Sequence, residues 1–177
     1  QRIGDVDTPV SIIYGAENTV RYRNKAQFPV SQGESAPKIG FYRARSHDVL
    51  DVPDCLLQPE VAARLRGALK GWMEKYGIPA YDETTHKGLV RHLFVRTNAA
   101  GQSLCAVVTN GRKLLRETEL VSALRAAEPG LMGIVLAVNE KQTNVILGET
   151  FRTLWGQPFL EDTLCGFTFK LSVPSFF

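Results

Sequence analysis

The stretch "GLVRHLFVRTNAAGQSLCAVVTNG", residues 88–111, decides the fold. Its two halves are apolar runs rich in valine and leucine, and "AAGQ" between them has the composition of a turn. Residues of these types bounded by turn signals are typical of strands, and two strands joined by so short a connection pair antiparallel. The stretch therefore predicts a β-hairpin.

The rest of the chain supplies further strands and two helices. Val61, Leu65, Leu69, Trp72 and Tyr76 recur at helical spacing, and Gly77 is suited to end that helix. The segments before and after the hairpin are predicted as strands 19–30 and 39–46, helices 58–76 and 116–130, a buried strand 131–140, two short strands within 143–156, and a closing hairpin 159–172. Because strands outnumber helices and the turns are hairpin-like, we predict an α+β fold: a mainly antiparallel β-sheet with two helices packed on one face.

The composition indicates one ordinary globular domain. The chain has 177 residues, of which 44% are hydrophobic and 22% charged. It contains no apolar run long enough to span a bilayer. Cys55, Cys105 and Cys165 are too widely spaced for a disulfide framework or a C-x-x-C metal pair, which favours a reducing cytoplasm. We expect Cys105 and Cys165, in apolar strands, to lie in the core.

Positive charge is concentrated near the start of the chain. The net charge is only +3, but residues 19–47 hold six cations against the single acid Glu34. Arg21, Arg23 and Lys25 occupy alternate positions of the predicted strand 19–30, so all three would project from one face. Such a face is either a solvated edge or a surface that meets a negative partner.

The sequence shows no recognisable catalytic motif. Neither G-x-G-x-x-G nor G-x-x-x-x-G-K-[ST] occurs, H-E-x-x-H is absent, and the three histidines are scattered. The spacing of serine, cysteine and histidine neither excludes nor indicates a catalytic triad.

Five segments resemble, in family order, the central domain of the RNA uracil-C5-methyltransferases. They are "YRNKAQFPV" (22–30), "GFYRARSHDVLDVPDCLLQ" (40–58), "LVRHLFVRTN" (89–98), "TNVILG" (143–148) and "LSVPSFF" (171–177). That family uses S-adenosylmethionine to make 5-methyluridine. The chain is more similar to the branch that acts on 23S ribosomal RNA than to the transfer-RNA branch, chiefly because of the cysteine in "VPDC".

The resemblance implies a domain organisation. Residues 1–18 would be an arm from a preceding region, residues 19–173 the central RNA-recognition domain, and residues 174–177 the start of a junction to a Rossmann-like methyltransferase domain. That later domain would bind S-adenosylmethionine and hold the catalytic cysteine and base. The segment alone is expected to be inactive.

The resemblance also implies site residues and partners. Phe176 matches a phenylalanine that stacks near the flipped base, and Cys55 matches the fourth thiolate of a 4Fe-4S cluster whose other ligands are missing. Because one thiolate cannot hold a 4Fe-4S cluster, we expect no cluster in this segment. We also expect no bound S-adenosylmethionine, because the resemblance places that cofactor in the later domain. Cys55 as a small buried thiol remains an equal alternative. The expected partner is 23S ribosomal RNA, with no DNA and no membrane. The residues expected to contact RNA are Arg21, Arg23, Asn24, Lys25, Arg43, Arg45, Arg91, His92, Arg96 and Phe176.

The alternative function is a structural or protein-interaction module. In that case the basic sheet face serves solubility only, and reversing the charge of Arg21, Arg23 and Lys25 should leave RNA affinity unchanged.

Overall fold

The computed structural model describes residue 4 and residues 8–175. The strands of this part are β1 Lys25–Gln32, β2 Pro37–Tyr42, β3 Val49–Asp51, β4 Val90–Thr97, β5 Ser103–Thr109, β6 Leu131–Val138, β7 Thr150–Gly156, β8 Phe159–Leu164 and β9 Phe167–Ser172. The helices are α1 Glu60–Tyr76 and α2 Glu117–Ala127. The predicted α+β class is confirmed. Among the described residues, no helix is both long and apolar enough to cross a membrane.

The main sheet has seven strands in the order β3-β2-β1-β4-β5-β6-β7, and β8 and β9 form a separate hairpin. The β4–β5 hairpin pairs antiparallel, as its sequence predicts, with Phe94 opposite Ala106. The β5–β6 pair is parallel, which the sequence analysis did not predict. Parallel neighbours need a crossover connection, and α2 provides it.

Helix α1 follows its predicted pattern closely. Val61, Leu65, Leu69 and Trp72 are buried, while Gly77 at φ 62° takes the left-handed conformation that ends the helix. From the same helix, the buried Arg66 donates to the Ile39 carbonyl at 2.8 Å and contacts the Asp51 carboxylate. Helix α1 is thereby tied to the β2–β3 edge of the sheet.

Apolar layers cover the central strands on both faces. On one face, side chains of both helices pack with residues of β1, β4, β5 and β6 in the larger core. On the other, Phe94, Ala106 and Val135 pack against Leu160 and Val173 of the hairpin region. The strongest contacts of the hairpin with the sheet are those of β8 with β5 and β6.

Three predicted strands differ from the structure. The strand predicted over 39–46 is β2, which runs from Pro37 to Tyr42 and leaves residues 43–46 in a loop. The strand predicted over 19–30 begins at Lys25 rather than residue 19, since Arg21 has a φ of 56°, which extended backbone does not allow. The short strand predicted near residues 143–148 does not form. Its backbone is instead held by the Asn139 side-chain amide, which donates to the carbonyls of Val145 at 2.5 Å and Ile146 at 3.1 Å.

Candidate nucleic-acid interface

The segment before β1 runs along the loop that precedes α1. The Arg21 and Arg23 amides donate to the carbonyls of Leu56 and Leu57, at 2.6 and 3.2 Å. The prediction that Arg21, Arg23 and Lys25 share one strand face is therefore wrong. Only Lys25 belongs to β1, because the left-handed conformation at Arg21 turns the chain away from the sheet.

Arg21 is engaged within the protein. Its guanidinium binds both carboxylate oxygens of Asp54 at 2.7 Å and also donates to the carbonyls of Cys55 at 2.8 Å and Gln58 at 3.1 Å. The hydrogen bond from Arg21 lowers the pKa of Asp54. Arg21 therefore acts as an anchor for the loop that carries Cys55, and its guanidinium is not available to a phosphate.

Arg23, Asn24 and Lys25 lie at the start of β1. The side chains of Arg23 and Asn24 are exposed, whereas Lys25 is half-buried. The Asn24 carbonyl accepts a hydrogen bond from the Thr97 amide at 2.8 Å, which fixes the backbone here against the end of β4. The side chains of Arg23 and Asn24 thus point to solvent from a backbone that is hydrogen-bonded to Leu57 and to Thr97.

Arg43 and Arg45 lie in the loop between β2 and β3, and both are exposed. Backbone hydrogen bonds hold the loop together. The Arg43 amide donates to the Asp48 carbonyl at 2.8 Å, and the Ser46 amide donates to the Arg43 carbonyl at 3.1 Å. Because β1 and β2 are antiparallel, residues just before β1 and just after β2 lie at the same end of that pair. Arg23, Arg43 and Arg45 together are called the basic rim.

The three predicted contact residues in β4 are not on the surface. Arg91, His92 and Arg96 are 5%, 6% and 0% exposed. The Arg96 guanidinium stacks over the Phe94 ring with 5.6 Å to its centroid and donates to the Ser175 carbonyl. The expectation that these side chains extend an open cationic surface is wrong, because all three are buried and both guanidinium groups donate to backbone carbonyls.

The two groups of predicted cations therefore separate. The residues of the basic rim precede β1 or follow β2 at one end of that pair, whereas the cations of β4 are buried. Phe176 lies outside the described residues, so its predicted stacking role stays a prediction.

The cysteines occupy three different environments. Cys105 is buried in β5 as predicted, and burial raises the pKa of its thiol to about 12. Cys165 is exposed, contrary to prediction, because it forms the β8–β9 turn with Gly166, both at positive φ. Cys55 is a half-buried free thiol. Within residues 8–175, no three histidine, cysteine or acidic side chains come together to hold a metal, so Cys55 does not complete a cluster site with them.

A polar cluster beside the basic rim was not predicted from the sequence. The Glu83 carboxylate lies 2.6 Å from His47 Nδ1 and accepts a hydrogen bond from the Tyr42 hydroxyl at 3.3 Å. Burial, with the neighbouring Glu83, raises the pKa of Tyr42 to about 12. These residues are too far apart in sequence for any periodic pattern to connect them.

Comparison with known proteins finds relatives that are named as RNA methyltransferases. No family model matches the chain. It is 38% identical over 177 residues to an uncharacterized RNA methyltransferase of Clostridium tetani, covering 99% of this chain and 38% of that protein. It is 36% identical over 181 residues to another from Clostridium acetobutylicum, covering 100% of this chain and 39% of that protein.

A solved structure shares the fold. The Pyrococcus abyssi tRNA (uracil-54, C5)-methyltransferase, in complex with S-adenosyl-L-homocysteine, superposes with a TM-score of 0.74 at 20% identity over 91% of this chain and 38% of that one. At that identity the likeness establishes the fold alone. The chain spans well under half of the relatives that it matches. It is therefore related, over essentially its whole length, to one part of proteins named RNA methyltransferases.

Proposed function

We propose that the chain is the RNA-recognition part of an S-adenosylmethionine-dependent uracil-C5-methyltransferase that acts on 23S ribosomal RNA. The observation that carries the proposal is the 38% identity, along nearly the whole chain, to a bacterial protein named as an RNA methyltransferase. Residues 19–173 would form the recognition domain, between an arm at 1–18 and a junction at 174–177. The choice of 23S ribosomal RNA rests on the resemblance of the segment around Cys55.

The basic rim is the surface best suited to RNA in the described structure. Exposed arginines pair with phosphate oxygens, and such contacts position RNA without reading its sequence. Arg23, Arg43 and Arg45 are all exposed, and Asn24 beside them presents an amide that can hydrogen-bond a base edge. Lys25 adds to this surface, while Arg21 holds the Cys55 loop in place.

Methyl transfer itself is assigned to the part of the relatives that this chain does not match. The described residues include no metal-binding group of side chains, and Cys55 alone supplies one thiolate where a 4Fe-4S cluster takes four. Mixed with RNA and S-adenosylmethionine carrying a labelled methyl group, the chain is expected to transfer no label.

Binding to hairpin RNA, measured by fluorescence anisotropy at several salt concentrations, tests the proposal. Reversing two rim charges with Arg43→Glu/Arg45→Glu should weaken binding about tenfold or more at low salt. It should also reduce the slope of log K against log salt by about 2, since each phosphate contact contributes roughly 0.9. The unfolding temperature should not change, because both side chains are exposed.

A matched double variant controls for net charge. Arg112→Glu/Lys113→Glu makes the same charge change at two exposed residues of the loop between β5 and α2. It should leave affinity nearly unchanged. The proposal fails if the wild-type chain binds no RNA at low salt, or if both double variants weaken binding equally.

One feature favours the alternative function, a protein-interaction module. Leu164, Phe167 and Phe169 are 50%, 70% and 47% exposed at the tip of the β8–β9 hairpin. Exposed apolar side chains grouped in this way are typical of protein contact surfaces. Under this alternative, the Arg43→Glu/Arg45→Glu variant would bind RNA no differently from the wild-type chain.

A further inference from the structure

A cavity of about 510 Å³ lies beside the basic rim. It is bounded by the β2–β3 loop, the segment 81–84, and the adjoining parts of β1, β2 and β4. Side chains that line it include Lys38, Tyr42, Arg43, Glu83, Arg91 and His92. Its volume is within the range of cavities that hold small organic ligands, about 300–1,000 Å³.

The walls of the cavity are fixed by Glu83. Its carboxylate contacts both Tyr42 and His47, and so ties the β2–β3 loop to the segment 81–84. The rings of Tyr42 and His47 lie 5.4 Å apart and are tilted by 48°. Both residues are exposed, so their rings offer aromatic surface at the mouth of the cavity.

A β-bulge shapes the floor. Val90 pairs with Thr109 and His92 with Val108, which leaves Arg91 as the extra residue. A bulge re-aims side chains, so neighbours that would alternate between faces can serve one site. Arg91 and His92 accordingly line the same cavity.

Both floor residues keep hydrogen-bonding capacity that the protein does not use. Arg91 Nη1 donates to the carbonyls of Asn139 at 2.7 Å and Lys141 at 2.9 Å, and its guanidinium lies 4.3 Å from the Tyr81 ring centroid. Arg91 Nε and His92 Nδ1 are buried without a partner in the described chain. Buried polar atoms are nearly always paired, and exceptions occur at functional sites.

The charges of the cavity favour a neutral ligand over a bare anion. Lys38, Arg43 and Arg91 are balanced by the acids Asp48, Asp82 and Glu83. Burial lowers the pKa of His92 to about 4, so its ring is neutral at pH 7. A site for free phosphate would need an excess of positive charge, which this cavity lacks. A site for a flat group with hydrogen-bond donors and acceptors needs aromatic walls and unpaired polar atoms, and the cavity has both.

We propose that this cavity receives one unstacked nucleobase of single-stranded RNA, with Tyr42 providing a stacking surface and Arg91 and His92 facing the base. The inference rests on the proposed RNA-binding function and deepens it. Specific recognition of RNA uses unpaired bases that stack on aromatic side chains and hydrogen-bond along their edges. The adjacent basic rim would hold the flanking phosphates.

The test compares a single-stranded RNA 12-mer with an RNA duplex of the same length, by anisotropy at fixed salt. Tyr42→Ala should weaken binding of the single strand on the order of tenfold, because one stacking contact is lost, and should leave duplex binding unchanged. Phe151→Ala is the matched control: Phe151 is 37% exposed against 40% for Tyr42, and lies in β7 at the opposite edge of the sheet. It should change neither affinity.

A second variant keeps the proposal falsifiable if Tyr42→Ala fails to fold. His92→Leu replaces the ring by an apolar side chain of similar size that cannot hydrogen-bond a base, and it should also weaken single-strand binding selectively. The proposal is overturned if both folded variants bind the single strand like the wild type, or if inorganic phosphate competes for the cavity while nucleosides do not. A wild-type chain that binds neither RNA would instead overturn the proposed function itself.

Discussion

The centre of the sheet and its peripheral loops contain the same reactive residue types in opposite environments. Arg91 and His92 in β4 and Cys105 in β5 are buried. Their counterparts in the loops, Arg43, His47 and Cys165, are exposed. A central strand has a neighbouring strand at each edge and an apolar layer on each face, so its residues are shielded from solvent on every side. A loop residue contacts the rest of the protein on one side only. Exposure of a charged residue is therefore set by the surrounding layers rather than by its own segment.

The cysteines should show the largest difference between these regions. Iodoacetamide at pH 8 should alkylate Cys165 freely and Cys105 at least about a thousand times more slowly. Burial raises the pKa of Cys105 to about 12, and its sulfur becomes accessible only when the central strands open. Peptide mass spectrometry over a time course measures both rates. In denaturant the two rates should converge; native rates within tenfold of each other would contradict the comparison.

The burial of His92 should couple the stability of the protein to pH. With a folded pKa of about 4 against an ordinary value near 6.5, His92 binds a proton more readily in the unfolded chain. The contribution of the neutral His92 ring to the free energy of unfolding is therefore complete above about pH 6.5. As the pH falls toward 4, roughly 3 kcal/mol of it is lost. Urea unfolding at pH 7 and pH 4.5 measures this loss in the wild type and in His92→Gln, which should lack it.

If His92→Gln and the wild type lose the same free energy of unfolding, His92 is not the buried neutral ring that the structure describes.

The arginines should show a smaller difference in their effects on stability. Arg91→Ala leaves the carbonyls of Asn139 and Lys141 without their donor and should lower the free energy of unfolding by about 2 kcal/mol. Arg43→Ala removes an exposed side chain and should change it by less than about 0.5 kcal/mol. Equal losses in denaturant unfolding would show that the two arginines are not differently buried.

Much of the fold could be predicted from local signals. The β4–β5 hairpin follows from two apolar runs around a short turn, and helix α1 follows from its apolar spacing and from Gly77. The order of the strands could not be obtained in this way. The parallel β5–β6 pair depends on where α2 packs, and that is decided by contacts between distant segments.

The candidate site was predictable only in part. Arg23, Arg43 and Arg45 are exposed, as a basic surface requires, but Arg21 is bound by Asp54, a residue 33 positions away. The burial of Arg96 depends on the chain near Ser175, and the cavity depends on a bulge that breaks the strand alternation. The residue pattern along one segment contains no information about the burial of Arg96 or about the cavity.

The pairing of β1 with β4 has a consequence for synthesis on the ribosome. Lys25 pairs with Arg96, and β2, β3 and α1 all lie between them in the chain. At about 5–20 residues per second, one edge of β1 stays open for roughly 3 to 13 seconds before β4 emerges. During that interval the nascent β1–β2 hairpin has only α1 to cover Phe28 and Val30, so a chaperone that shields unpaired strand edges would act most usefully at this stage.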